Sequence, residues 1–413
     1  MTVDAIAVQR RRLERLRLGR GVVEAPVGSS VSRAERLAAV LGGAVERSVA
    51  GSIVVVEASG SLPVRRDRLA LLPDPIEIGR PIVCLDTETT GLGTAAGTIP
   101  FLVGLGTWAD ERFTVRQLML PDHSDEPAFL AAIAAAIPSD AWLVTYNGRG
   151  FDWPLLVTRF RLHRQAPPVH AGHFDLLPLA RQLWRHRLPD ARLCSVERGI
   201  AGVLRVDDLP GALIPARYFD YLRTGRGEPL RDVIRHNRQD VASLARLLST
   251  LGRALDPADW GGSMRVGDLG GLGRAYVRRR RYDHAMDCFD AALAREEGPP
   301  SSLDPWTTPV ADRLAADRAR LLTRLGRRVE AAGVWEALAG GGGRLAGLAW
   351  IQVAKHREHH ERDPVSALVA ASKAADVAHR ARMLGTIVVW VERDLERRLP
   401  RLRRLALVAT RAD

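Results

Sequence analysis

Two acidic residues, Asp86 and Glu88, stand one residue apart at the end of a short apolar run, residues 82–85. The run predicts a buried β-strand, on which alternate side chains share a face, so both carboxylates point the same way. Two adjacent anions are expensive to desolvate unless a cation lies between them, and hard oxygen ligands of this kind suit Mg²⁺ or Mn²⁺. Alone, the pair is more typical of a solvated strand end before a turn at Gly91. Two further segments favour a metal site.

The second segment covers residues 142–156, where another apolar strand leads into a glycine-rich turn at residues 147–150. Asp152 follows that turn, and Pro154 stands where the first turn of a helix tolerates proline. Asp152 is therefore expected at or near a helix N-cap. A cap and a metal ligand are both open interpretations of this residue, and they are compatible.

The third segment covers residues 230–248, where apolar residues recur at helical spacing and predict an amphipathic helix. His236 and Asp240 lie four residues apart on this helix and share a face. A lone histidine on a helix is more often structural than catalytic. Its place one turn before an aspartate, downstream of the other two segments, makes His236 a candidate for catalysis.

In this order, D-x-E on a strand, N-x-x-x-F-D before a helix and H-x-x-x-D on a late helix resemble the DEDD-type (DEDDh-like) 3′–5′ exonucleases of the ribonuclease H-like superfamily. The match is closer to one branch, the bacterial proteins with a C-terminal tetratricopeptide region that include the mitomycin-repair exonuclease family. Supporting segments are residues 145–152, 173–177, 193–197, 207–215 and 236–241. One departure is that the histidine stands four residues before the last aspartate, a spacing typical of enzymes that use tyrosine there.

The resemblance implies a divalent-metal-dependent 3′–5′ DNA exonuclease that hydrolyses phosphodiester bonds in DNA repair. By this resemblance Asp86, Glu88, Asp152 and Asp240 would bind two divalent ions, Mg²⁺ or Mn²⁺. His236 would accept the proton of the attacking water or orient that water.

Four more residues near these segments are candidates for substrate binding. Tyr146 and Phe151 could stack on or wedge the terminal bases, because stacking on aromatic rings is sequence-tolerant. Packing at the strand–helix junction is the alternative for both rings. Thr87 and Asn147 could help to hold the 3′-terminal nucleotide.

The composition is that of a basic protein large enough for two or three domains. The 413 residues include 60 Lys and Arg against 48 Asp and Glu, a formal net charge of +12. Such a balance suits phosphate backbones, although the preference for arginine over lysine is also typical of a GC-rich genome. Cys84, Cys194 and Cys288 are far apart, which argues against a disulfide framework or a zinc site. No apolar run predicts a membrane span and no h-region predicts a secretory signal, so a cytoplasmic location is expected.

The chain divides into three parts. Residues 1–75 form a basic N-terminal extension with a basic helix at residues 9–18 and a strand at residues 52–57. Residues 76–254 alternate strands and helices and predict an α/β ribonuclease H-like (DnaQ-like exonuclease) domain that opens with a meander. Residues 255–413 predict an all-α tetratricopeptide-like domain.

The helical part carries a repeat whose small residues would let paired helices approach closely. The first unit has Leu272, Gly273, Tyr276, Ala285, Phe289 and Ala292 at tetratricopeptide offsets, and two weaker copies follow. The arginines at residues 278–281, at the turn inside the first unit, are a candidate phosphate-contacting patch. A solvated turn between helices is the alternative.

Three functions compete. The favoured one is a DNA exonuclease acting on duplex ends, nicks or gaps, with a helical accessory domain. The second keeps the chemistry but has RNA as its substrate, which makes it a 3′–5′ exoribonuclease. The third is a catalytically silent scaffold whose repeats recruit a partner such as a helicase. The presence of all five active-site residue types argues against the third.

Overall fold

The computed structural model describes residues 31–91, 97–206, 208–257, 260, 264–295, 309–385 and 389–411. The predicted basic helix at residues 9–18 lies outside these ranges. Among the helices of the described residues, none is both long and apolar enough to cross a membrane. The three cysteines are free thiols, of which Cys84 and Cys288 are buried.

A seven-stranded mixed sheet forms the first half of the described chain. Its strands in chain order are β1 (Ala44–Ser48), β2 (Gly51–Ser61), β3 (Ile82–Thr89), β4 (Pro100–Ala109), β5 (Arg112–Met119), β6 (Trp142–Thr145) and β7 (Gly172–Asp175). Across the sheet the order is β1-β2-β5-β4-β3-β6-β7. The strands β3, β4 and β5 form the predicted antiparallel meander, and β6 and β7 add in parallel to β3. Strand β3 is therefore an interior strand, with β4 on one side and β6 on the other.

Helices cover both faces of this sheet. They are α1 (Arg33–Leu41), α2 (Arg66–Leu69), α3 (Glu126–Ala136), α4 (Asp152–Leu162), α5 (Leu176–Trp184), α6 (Leu193–Val196), α7 (Ile214–Thr224) and α8 (Leu230–Ala254). Alternation along β3 sends Val83 and Leu85 into one buried cluster and Ile82 and Cys84 into the other. The helices over the first face include α1, α3 and α7, and those over the second include α2 and α5.

The sheet extends further toward the N-terminus than the predicted domain boundary at residues 75 and 76. Strand β2 pairs antiparallel with β5 from Val54 to Ser61, because its run of β-branched residues is buried against the meander. The strand expected at residues 52–57 is confirmed, but it is an integral part of the sheet. The three domain boundaries themselves stay predictions.

The C-terminal part is all-helical wherever the structure describes it. Its helices are α9 (Val266–Arg278), α10 (Tyr282–Leu293), α11 (Val310–Arg324), α12 (Arg328–Gly340), α13 (Ala346–His359), α14 (Pro364–Met383) and α15 (Val389–Ala409). The predicted α/β domain followed by an all-α region is thus confirmed.

Successive helices of this region pack on one another, as the small residues of the repeat predict. A Cβ atom on Gly273 would come within 2.6 Å of the Phe289 ring, so this glycine lets α9 and α10 approach closely. Ala285, Phe289 and Ala292 are fully buried at the same contact. Their membership of the tetratricopeptide family stays a prediction.

The helical region rests directly on the sheet domain. A Cβ on Gly271 of α9 would lie 2.3 Å from the backbone oxygen of Gln182 in α5, so the two helices touch through their backbones. The Tyr276 hydroxyl donates to the Leu71 carbonyl at 2.6 Å, and Arg281 donates to the carbonyl of Leu72 at 2.5 Å. These contacts hold α9 and the turn that follows it against the segment after α2.

Candidate active site

Asp86 and Glu88 lie at the C-terminal end of β3, on the face that α8 covers. Strand alternation places them on the same side as Cys84, as predicted. Helix α8 reaches this face because β4 presents Gly104 and Gly106 beneath it. A Cβ on Gly104 would stand 2.3 Å from the Asn237 side-chain oxygen, and one on Gly106 would stand 2.7 Å from Val241.

Asn237 ties the helix to the first carboxylate. Its amide Nδ2 donates to Asp86 Oδ2 at 2.9 Å and to the Asp86 carbonyl at 3.3 Å. Gln117 Nε2 donates to the Asn237 side-chain oxygen at 2.9 Å and to the Ile234 carbonyl at 2.8 Å, which orients the asparagine amide toward Asp86. Asn237 and Gln117 are both fully buried, so this chain of hydrogen bonds positions α8 against β3.

Gly104→Ala is expected to force α8 away from β4 and to lower both stability and activity. Overpacking a tight contact costs about 1–3 kcal/mol, and the displaced helix carries His236 and Asp240. Gly60→Ala in β2 is the matched control, because a Cβ there meets nothing within 4 Å. Thermal melts of the two variants test the packing, and equal melting temperatures would contradict it.

Asp152 is the first residue of α4, and its carboxylate is buried against β3. The Thr87 hydroxyl donates to Asp152 Oδ1. The N-cap position is occupied by Phe151, which makes no side-chain cap, so Asp152 lies next to the N-cap, in agreement with the prediction. Thr87 therefore contacts a candidate metal ligand, and its predicted contact with the 3′-terminal nucleotide stays a prediction.

The loop before Asp152 is held by Asp175, which also caps α5. Asp175 accepts from the backbone N–H groups of Asn147 at 2.8 Å, Arg149 at 3.2 Å and Leu177 at 3.0 Å. Asn147 has a φ of 68°, a left-handed conformation that asparagine tolerates in tight turns. Its side chain is exposed at the tip of this loop.

The two candidate aromatics lie on either side of the loop. Tyr146 is half-buried against the core, and its hydroxyl donates to the Ala191 carbonyl at 2.6 Å. That hydrogen bond agrees with the packing alternative, and base stacking by Tyr146 stays a prediction. Phe151 is half-buried at the start of α4.

His236 projects from α8 toward the carboxylates. Its Nε2 lies 4.0 Å from Glu88 Oε1 and 3.7 Å from Asp240 Oδ2. Its Nδ1 lies 2.6 Å from Asp208 Oδ1. A carboxylate only accepts hydrogen bonds, so Nδ1 carries a proton, and Nε2 is the ring nitrogen that faces the site.

Arg205 links the hydrogen-bonded pair of His236 and Asp208 to Asp240. Its guanidinium donates to Glu197 at 2.6 and 2.7 Å, to Asp208 Oδ2 at 2.8 Å and to Asp240 Oδ1. Glu197 is fully buried, and it anchors the guanidinium from below. Burial opposes the charge on Arg205, but the hydrogen bonds with Glu197 and Asp208 and the field of Asp240 raise its pKa overall.

The carboxylates act electrostatically on one another. Burial, reinforced by the neighbouring carboxylates, raises the pKa of Asp86 and of Glu88 well above their usual values. Burial also raises the pKa of Asp152 to about 6, against the opposing hydrogen bond from Thr87. Burial raises the pKa of Asp240 as well, although His236 and Arg205 partly offset this. The site is therefore a buried excess of negative charge.

This donor set fits divalent cations by its chemistry. Carboxylate oxygens are the ligands that Mg²⁺ and Mn²⁺ prefer, and a bound cation would offset the burial and the mutual repulsion that raise the pKa values of Asp86 and Glu88. Within the described ranges, no three His, Cys, Asp or Glu side chains converge closely enough to form a ready ligand set. One oxygen each of Asp86, Asp152 and Asp240 is held by Asn237, Thr87 and Arg205. A bound ion would have to use the remaining carboxylate oxygens or displace these hydrogen-bond donors.

Four residues that position the site were not predicted from the sequence, namely Glu197, Arg205, Asp208 and Asn237. Asp208 and Glu197 stand in segments that support the resemblance, but no local spacing links either residue to His236 or Asp240. For Asn237, the helical pattern of residues 230–248 did contain a signal. It is a polar residue on the buried side of an amphipathic helix, between the histidine and the aspartate.

The fold and the carboxylates at the end of β3 indicate the class of protein to which this chain is similar. Residues 83–252 match the model of the RNase_H superfamily. The chain is also 31% identical over 297 residues to the "Uncharacterized protein YprB" of Bacillus subtilis (strain 168), a match that covers 71% of this chain and 69% of that protein. This chain therefore belongs to the family of YprB, with an RNase H superfamily domain that supports a nuclease acting on nucleic acid.

Proposed function

We propose that this protein is a divalent-metal-dependent 3′–5′ DNA exonuclease that hydrolyses phosphodiester bonds in DNA repair. One observation carries the proposal. Asp86, Glu88, Asp152 and Asp240 come from three separate segments, yet they repel one another in one buried place beside His236. Such a concentration of buried anions is destabilising unless it serves to bind cations. The 3′–5′ polarity rests on the resemblance to the DEDD-type exonucleases.

Each of these side chains has a distinct task in the proposed reaction. The four carboxylates hold two ions, Mg²⁺ or Mn²⁺. When bound, these ions supply positive charge that favours attack by water and departure of the 3′-oxygen. His236 accepts the proton of the attacking water at Nε2, the nitrogen that faces Glu88 and Asp240. Asp208 holds the tautomer that leaves this nitrogen free.

Asp208→Asn is expected to lower kcat by about 10–100-fold with little change in KM, the usual effect of losing an outer hydrogen-bond partner. The variant replaces the carboxylate that orients His236 with a neutral amide, which is a weaker acceptor and can also turn its NH₂ group toward the ring. Its loss of activity should therefore overlap with that of His236→Ala. Single-turnover rates of both variants and of the double variant form the test. Effects that multiply in the double variant would show that Asp208 acts independently of the histidine.

The substrate assignment is tested with matched DNA and RNA oligomers. A 5′-labelled DNA duplex in Mg²⁺ should yield a ladder that shortens from the 3′ end, whereas a 3′-labelled strand should release labelled mononucleotide at once. Faster digestion of the RNA would make the protein an exoribonuclease. A wild-type protein that cleaves neither substrate would support a silent scaffold.

A helicase partner for the helical region and the domain boundaries given above stay predictions.

A further inference from the structure

A basic cleft lies between the RNase H superfamily domain and the helical region. It has a volume of about 1060 Å³. Arg181 and Arg185 line it from α5 and the segment after it, and Arg274, Arg278 and Arg313 line it from α9 and α11. Because α5 and α9 touch backbone to backbone at Gly271, the two walls are fixed relative to each other. None of the candidate catalytic residues lines this cleft.

The charge of the cleft is unbalanced. All five arginines are exposed, and the only acidic lining residue is Asp190, which accepts from the backbone N–H of Arg192. Arg274 pairs with Asp317 at 3.1 Å. For the other four arginines, no ion pair with a carboxylate is formed among the residues that the structure describes. By contrast, the nearby Arg187 forms an ion pair with the buried Asp268 at 2.9 Å.

The arginine run that the sequence singled out divides between two roles. Arg279 pairs with Asp74, and Arg281 donates to backbone carbonyls and lies 5.3 Å from the centre of the Tyr276 ring. Both therefore fix the helical region to the sheet domain. Arg278 is the member that faces the cleft.

The cleft leads toward the candidate active site. Ala191 lines the cleft, and its carbonyl accepts the Tyr146 hydroxyl, next to the loop that precedes Asp152. A smaller adjoining cavity is lined by Arg278 together with Arg149 of that loop. Arginines of the two cavities thus lie between the helical region and the loop that precedes Asp152, and Asp74 and Asp175 also line the second cavity.

These features point to an extended anion. Small-molecule sites are mostly apolar with a few polar groups, whereas this cleft is lined by guanidinium groups from three helices. Guanidinium groups bind phosphates by paired hydrogen bonds, and unpaired arginines near one another repel unless an anion lies between them. A single phosphate would meet only part of the lining, but a chain of phosphates can meet all of it.

We infer that this cleft binds the sugar–phosphate backbone of the nucleic-acid substrate, away from the end that is cleaved. The inference rests on the proposed function for the identity of the ligand. The cleft adds affinity and holds the strand in line with the loop at residues 147–151. Its arginines take no part in the chemical step.

The test compares two double variants of the full chain. Arg181→Gln/Arg278→Gln neutralises one arginine on each wall. Arg112→Gln/Arg404→Gln is the control, because it removes the same charge from exposed arginines of β5 and α15. Binding of a labelled DNA duplex is measured by fluorescence anisotropy in EDTA over a series of salt concentrations, and turnover is measured in Mg²⁺ at saturating duplex.

The cleft variant is expected to bind about 10–100-fold more weakly near 0.1 M salt. The slope of log affinity against log salt should become shallower by about 1.8 units, since each lost duplex phosphate contact removes about 0.9. Turnover at saturation should stay within about twofold of wild type, the change expected when binding alone is affected. The control variant should show a slope within about half a unit of wild type, less than one phosphate contact.

Equal affinities and slopes for the two double variants would overturn the inference, even if the wild type is an active nuclease. If instead the wild type cleaves no nucleic acid but loses DNA affinity on the cleft substitutions, the proposed function fails while the cleft assignment stands. Labelled polyglutamate serves as an acidic-protein probe. A cleft variant that loses polyglutamate binding and keeps its DNA affinity would show that the partner is an acidic protein segment.

Discussion

Asp86→Asn is expected to abolish cleavage while leaving DNA binding within about twofold of wild type. The substitution removes one carboxylate from the proposed metal site but removes no arginine that could contact phosphate. The Asn237 hydrogen bond can be kept, because the new amide retains an oxygen acceptor. Cleavage rates and anisotropy titrations on one duplex test the prediction together. Normal turnover by this variant in Mg²⁺ would overturn the assignment of the site.

In the absence of metal, Asp86→Asn is expected to stabilise the folded protein, although it abolishes activity. Burial and neighbouring carboxylates raise the folded-state pKa of Asp86, so its ionised form costs the folded protein free energy at pH values above that raised pKa. In EDTA at pH 8, Asp86→Asn should therefore melt at a higher temperature than wild type. The difference should shrink as the pH falls and should vanish below the usual aspartate pKa of about 3.9, where the aspartate becomes protonated in both states. Saturating Mg²⁺ should reverse the order, because only the wild type gains full metal-binding energy.

His236→Ala is expected to slow catalysis by about 10²–10⁴-fold, the usual contribution of a general base. The side chain lies beside Glu88 and Asp240 but is proposed to accept a proton and not to bind metal. The apparent affinity for Mg²⁺ should consequently change little. Single-turnover rates across a metal titration separate the two effects.

Asp240→Ala is the matched comparison, one helical turn away on the same face of α8. It should lose both metal affinity and turnover, since Asp240 is a proposed ligand. If His236→Ala loses metal binding as completely as Asp240→Ala, the histidine is a ligand and the proton-acceptor role is wrong.

The strands and helices that carry the site were predictable, because each has its own local signal. The apolar run before Asp86, the glycine-rich turn before Asp152 and the helical period around His236 indicated β3, α4 and α8. Gly104 and Gly106 allow α8 to lie on the sheet, yet their purpose depends on Asn237 and Val241, far along the chain. Only the fold brings such residues together.

The residues that position His236 were hidden for the same reason. Asp208 lies 28 residues from its partner, and Arg205 lies 35 residues from Asp240. The arginine run at residues 278–281 shows a different limit of prediction from sequence, because adjacent arginines have different roles that their residue type does not distinguish. Arg279 forms an ion pair and Arg281 forms hydrogen bonds with the segment after α2, whereas Arg278 lines the cleft.

Direct measurement of metal binding tests the central claim, that the four carboxylates form one site for two divalent ions. Mn²⁺ titrations followed by electron paramagnetic resonance, on wild type and on Asp86→Asn, count bound ions without reference to any substrate. The wild type is expected to bind two Mn²⁺ ions per chain, and the variant is expected to lose at least one of them. Equal stoichiometry and affinity in the two proteins would contradict the account.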